Sequence, residues 1–274
     1  MTYFHHGVRA IWYDDHSTPV ELGEKFLGTA ESLRPLDPAM NDWRLLDSGR
    51  DEPKELKLAD VRGKIGDWAA HNISYDGRSP WRAADGYALL GWSSLVYSET
   101  TTPDTVQLSV TAGRADVNAA NFNVGTIQAP ADEALLTYPI FRGALDALAS
   151  NWPCVYATAY ALDMEMRPTP VIRSHADLMR VAAEPDPPPP LFLRWIAYLS
   201  APLVEGFSPP ADMVSERTPG GGLILCATPD FFDPENPDHR RRALRLTAII
   251  DALVPAVQIN GRPDVGPPMR AGPY

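Results

Sequence analysis

Apolar positions along this chain fall into two rhythms, one close to the helical repeat and one of strict alternation. Leu22, Phe26, Ala30 and Leu33 share one helix face. Thr18 precedes them as N-cap, with Pro19 at the first helical position and Glu21 placed to close a capping box. Pro35 ends that helix by disfavouring helical backbone at Arg34. Leu58, Val61, Ile65 and Trp68 predict a second amphipathic helix, and Phe141, Leu145, Leu148 and Trp152 a third. Asn236, Pro237 and Asp238 start a last helix with Leu246, Ile250, Leu253 and Val257 as its buried stripe.

The alternating rhythm marks strands. "VQLSVTAG" (106–113) sets Val106, Leu108 and Val110 against Gln107, Ser109 and Thr111, a half-buried strand. "NFNVGTIQA" (121–129) reads as its antiparallel partner, with Gly125 at a bulge. "GVRAIWY" (7–13), "WRLLD" (43–47) and "GYALLGWSS" (86–94) read as further strands. "CVYATAYAL" (154–162) is a continuous apolar run and predicts a central strand, "LFLRWIAYLS" (191–200) reads as another strand, and "GLILCAT" (222–228) is one more fully apolar run.

Strands in meanders mixed with helices predict an α+β fold, a mainly antiparallel sheet with helices packed on one face. Two similar-sized halves are expected, 1–130 and 131–258, as two units or one continuous domain, followed by a Pro/Gly-rich tail, 259–274. Proline is abundant, with 28 residues, and "EPDPPPP" (184–190) reads as a linker or rigid loop.

Composition narrows the function. No run is apolar enough to span a membrane, and Met1 to Ala10 lacks the apolar stretch of a signal peptide. Cys154 and Cys226 lie inside apolar runs and read as small buried hydrophobes, so a reducing, cytoplasmic setting is expected. The formal net charge is -11, and acidic residues outnumber basic ones in every third of the chain. Such a surface repels nucleic acid and anionic lipid and attracts a basic protein surface.

No catalytic, metal or cofactor constellation emerges. A phosphate cradle needs glycines after a strand and before a helix, whereas Gly220, Gly221 and Gly222 precede a strand and read as a turn. His5, His6, Asp14, Asp15 and His16 are metal-ligand types without a ligand spacing. Glu55 and Lys57 match an E-x-K spacing of nucleases, but "DEPKELKLAD" reads as a loop entering a helix. "HRRRALR" (239–245) reads as a solvated helix face, and Trp12, Trp68, Trp152 and Trp195 as core.

The stretches "AIWYDDHSTPVELGEKFLGTAESLRPLDPAMNDW", "GYALLGWSSL", "LSVTAGRADVNAANFNVGTI", "LASNWPCVYATA", "LRWIAYLS" and "GGGLILCATPDFFDPENPDH" occur in an order that resembles the immunity protein 52 family of bacterial polymorphic toxin systems. The resemblance runs over roughly residues 8 to 255 and rests on order and spacing, with no single specific motif. Arg194, where a glycine is expected, departs from it. It implies a cytoplasmic, non-enzymatic antidote that binds a cognate toxin, a restriction-endonuclease-like nuclease, without cofactor, metal, nucleic acid or membrane. Alternatives are a secretion-system accessory or assembly protein and an enzyme of unrecognised type. The acidic strand ends Asp14, Asp15, Asp230, Asp233 and Glu235 are the expected partner contacts; Asp and Asn are also what turns and caps select.

Overall fold

A computed structural model describes residues 4–12, 16–48, 54–73, 86–93, 105–113, 123–129, 134–163, 176, 180–181, 183–185 and 192–254. Among these residues ten strands form one antiparallel sheet in the order β3-β2-β4-β5-β6-β1-β7-β8-β10-β9. They are β1 (Phe4–Trp12), β2 (Trp43–Asp47), β3 (Lys54–Lys57), β4 (Tyr87–Ser93), β5 (Gln107–Ala112), β6 (Asn123–Ala129), β7 (Tyr156–Asp163), β8 (Phe192–Leu199), β9 (Val214–Arg217) and β10 (Leu223–Cys226). The helices are α1 (Pro19–Leu33), α2 (Leu58–Val61), α3 (Ile65–His71), α4 (Tyr138–Asn151) and α5 (Pro237–Leu253). The α+β class and the antiparallel sheet are as expected. The sheet runs through both halves, because β1 pairs with β6 on one side and β7 on the other.

Local chemistry starts the helices. Thr18 and Glu21 form the expected capping box on α1. Asn236 accepts from the Asp238 and His239 amides at the start of α5. The helix expected over 58–68 is instead split: α2 ends at Val61, a 3-10 turn spans Arg62–Lys64, and α3 begins at Ile65. Gly63 sits in that turn, and glycine is a poor helix former.

Side-chain alternation divides the sheet into two faces. Trp12 stacks on Trp152 at the end of α4, with ring centroids 4.9 Å apart. His6, six residues earlier on the same strand and so on the same face, meets Phe141 edge-on. The face bearing Trp12 and His6 is therefore covered by α4, and beside it by α1 and α3, where Phe26 meets Trp68. The expectation of helices on one face holds for these three and fails for α5. Arg194 points from β8 to Asp251 on α5, while the next residue, Trp195, packs on Phe141 of α4. Strands β7, β8 and β10 are buried on both faces, so both faces there are covered.

The bulge lies elsewhere than expected. Gly125 pairs in unbroken register with Ala10 and Val110. Its missing side chain makes room for packing: a Cβ there would stand 3.0 Å from Leu148 and 3.5 Å from Trp12. The register shifts instead where Ala159 faces Ile196 and Tyr160 faces Arg194, leaving Trp195 as the extra residue of β8.

Candidate partner-binding surface

Of the five acidic residues singled out above, Asp14 and Asp15 lie outside the described residues. Asp230, Asp233 and Glu235 come together in the loop that joins β10 to α5. Buried hydrogen bonds hold this loop at its base. The Trp195 indole N–H donates to the Thr228 carbonyl at 2.7 Å, and the Cys226 thiol donates to the same oxygen at 2.8 Å. Phe232 is buried between Trp195 and His239, with centroids 5.7 Å and 5.9 Å away.

The three acids then part company. Asp233 is half-buried and takes part in the turn: its Oδ1 accepts from the Glu235 amide at 2.8 Å, and its own amide donates to His239 Nδ1 at 3.0 Å. Asp230 and Glu235 are exposed. Sequence reasoning missed Phe231, which is 46% exposed between them in the chain. Two adjacent phenylalanines carry no signal of which one faces solvent; alternation alone tells that they point apart.

The basic run on α5 is not a solvated face throughout. Arg240 is buried, and its guanidinium donates to the carbonyls of Pro234 and Glu235 at 3.1 Å and 2.7 Å. It ties the loop to the helix that follows. Arg241 pairs with Asp238, and Arg245 pairs with Asp212. The hydrogen bond from Arg245 holds the Asp212 carboxyl below its usual range.

The other candidates resolve as follows. Gly220 to Gly222 form the hairpin loop between β9 and β10, with Gly221 at φ 80 and its amide bonded to the Thr218 carbonyl. That is the turn expected, although β9 before it was not. Glu55 and Lys57 lie on strand β3 rather than a loop, and Glu55 is paired with Arg44 across on β2. His5 and His6 are neighbours on β1 and so stand on opposite faces; burial lowers the pKa of His5. Among the described residues no group of three or more His, Cys, Asp or Glu is placed to hold a metal ion. Nor is any helix among them long and apolar enough to cross a membrane.

The cysteines are buried and free, and burial pushes each thiol up to about 12. They carry no nucleophile at neutral pH. Trp12, Trp68, Trp152 and Trp195 are all buried as expected, and the indole N–H groups of Trp68, Trp152 and Trp195 donate to acceptors within the fold. The acceptors are the Leu46 carbonyl for Trp68, Thr29 Oγ1 for Trp152 and the Thr228 carbonyl for Trp195.

No protein-family model matches the chain, and no curated protein is similar to it in sequence. The fold does have a solved counterpart. The structure of Pseudomonas aeruginosa T6SS protein PA0821 superposes with a TM-score of 0.50 at 11% identity, over 90% of this chain and 76% of that one. The class is thus an α+β protein built on one broad antiparallel sheet. The likeness to PA0821 is one of fold.

Proposed function

We propose that this chain is an immunity protein that binds and neutralises a cognate toxin, a nuclease with a basic working face, in a stoichiometric complex. The observation that supports the reading is the fold shared with a T6SS protein over 90% of the chain, taken together with the sequence resemblance to the immunity protein 52 family. The net charge of -11 supports a basic partner, since opposite potentials speed encounter and fix orientation. On this reading the protein is not an enzyme, needs no cofactor, acts in the cytoplasm and uses Asp230 and Glu235 at the β10–α5 loop as contacts.

The test is capture of the tagged chain from its own bacterium, followed by assay of the captured protein's nuclease activity with and without added chain. Silencing at a one-to-one ratio is the expected outcome. Replacing Asp230 and Glu235 by Lys should then weaken binding, and unchanged affinity would take the loop out of the interface. A captured secretion-apparatus component with no toxic activity would favour an assembly role instead.

A further inference from the structure

Among the described residues the sheet ends at β9, whose four residues are all exposed. Hydrogen-bond parity tells which of its backbone groups face outward. The Thr218 amide donates to the Gly222 carbonyl at 2.9 Å, so Thr218 and Gly222 form a hydrogen-bonded pair. In an antiparallel ladder such pairs alternate. Glu216 with Ile224 and Val214 with Cys226 are then also bonded pairs, while Ser215 and Arg217 turn their N–H and C=O groups away from β10. The other side of β10 agrees: the Ala227 amide bonds to the Trp195 carbonyl of β8, so Leu223 and Leu225 serve β8. Four outward groups, one N–H and one C=O on each of Ser215 and Arg217, therefore line the open edge.

This edge is held in place. On the α4 side, Glu216 bonds to Arg142 at 2.8 Å, and Arg142 also bonds to Asp146 at 2.6 Å. Arg217 donates to the carbonyls of Phe207 and Gly221. Asp212, just before the strand, pairs with Arg245 on α5. An edge so fixed loses little freedom when another strand adds to it.

The side chains select the kind of strand. One arginine, Arg142, serves two carboxylates, Glu216 and Asp146, which leaves one negative charge beside β9 on the α4 side. Val214, 45% exposed, stands on the same side. A second copy of this chain fits badly. The two-fold register that uses all four outward groups sets Glu216 opposite its own copy, a repulsive pair.

We infer that β9 is a docking edge that takes an extended strand from a basic protein partner, with Lys or Arg beside Glu216 and an apolar residue beside Val214. This deepens the proposed function by naming how the partner attaches, through main-chain bonds along a sheet edge.

The test uses the full chain and two synthetic peptides of equal length, one repeating Thr-Lys-Thr-Val, which sets lysine and valine in turn on one face of the strand, and one repeating Thr-Glu-Thr-Val. Amide hydrogen exchange is read by NMR. The valine–lysine peptide should slow exchange at Ser215 and Arg217 about tenfold or more, and the valine–glutamate peptide should not. N-methylation of every second peptide amide should abolish the protection. So should Ser215→Pro, which removes an outward N–H and no ladder bond; its unfolding midpoint checks that the fold is kept, and the methylated peptide stands in for it otherwise. No protection at these two amides, or equal protection by both peptides, overturns the inference. No toxin enters this experiment, so its result is independent of the neutralisation assay. Failure there sinks the immunity reading and leaves the edge result standing.

Discussion

The guanidinium of Arg194 lies 3.2 Å from the carboxylate of Asp251, and this contact links the middle of the sheet to the last helix. The arginine side chain is 4% exposed and the aspartate 32%. Removing the acid strands a buried cation, which is the costly way to break such a pair. Asp251→Asn should lower stability by about 1–2 kcal/mol, less than for a fully buried pair because water screens the carboxylate. Arg194→Met combined with Asp251→Leu should recover most of the loss, since an apolar pair of similar size is often neutral there. Urea unfolding of Asp251→Asn checks the loss, and that of Arg194→Met, Asp251→Leu and the double variant forms the cycle that measures the pair. An Asp251→Asn variant as stable as wild type would show that α5 is held by packing alone.

Two glycines should respond in opposite directions to alanine. A Cβ at Gly23 on α1 would stand 2.7 Å from the Ile65 carbonyl oxygen, a backbone atom that cannot step aside without moving α3. Gly23→Ala should cost about 1–3 kcal/mol, the usual range for overpacking. At Gly63, in the turn that splits the second helical stretch, a Cβ would meet nothing within 4 Å. Gly63→Ala should stabilise by about 0.4–1 kcal/mol by restricting the unfolded chain. Thermal unfolding of both proteins decides; a loss at Gly63 would mean that the turn depends on glycine's backbone freedom.

The contrast between these sites and the strands shows what a sequence carries. Strands β4 to β8 were legible because burial imposes alternation or an unbroken apolar run, and α1 and α5 because their caps are written in side chains. Strand β9, Val-Ser-Glu-Arg, was not, since all four residues are exposed and no period marks them. Strand β3 hid for the same reason behind two lysines. The bulge was assigned to Gly125, yet glycine there answers a close approach from another layer, which one sequence does not encode. The face taken by α5 depends on Arg194 and Trp195 pointing apart, and neither residue type predicts that. At the candidate surface, Asp230 and Glu235 were found as exposed acids, while Asp233 proved to shape the turn and Phe231 went unseen.

The thiols give the fold a defined alkaline response. Cys154 and Cys226 are each pushed up to about 12 by burial, above the ordinary value of 9.0. Between those limits the unfolded chain releases protons that the folded chain keeps. The folded state binds more protons, so stability falls as pH rises, and the contribution is fully present below pH 9. The slope expected from each thiol is about 1.4 kcal/mol per pH unit at most. Unfolding midpoints of wild type and Cys154→Ala at pH 8 and pH 10.5 should converge as pH rises. Equal gaps at both values would mean that the thiol ionises freely in the fold. A disulfide reagent should also leave both cysteines unmodified in the native protein at pH 8 and label both in urea.

The β10–α5 loop should depend on one indole. Trp195 is 1% exposed, and its N–H is a buried donor to the Thr228 carbonyl at 2.7 Å. Trp195→Phe keeps the ring that touches Phe141 and Phe232 and removes that donor. The Thr228 carbonyl still accepts from the Cys226 thiol, a weak donor, so the loss should be partial, about 1–3 kcal/mol including the reduced ring volume. The effect should be local first. The amides of Asp233 and Glu235, which bond within the loop to His239 and Asp233, should exchange faster in the variant, while amides of β1 and β7 should exchange as before until global unfolding. If binding to a captured toxin uses this loop, the dissociation rate should rise in step with that exchange. Faster exchange with an unchanged dissociation rate would place the contact elsewhere, and the open edge at β9 is then the surface to test.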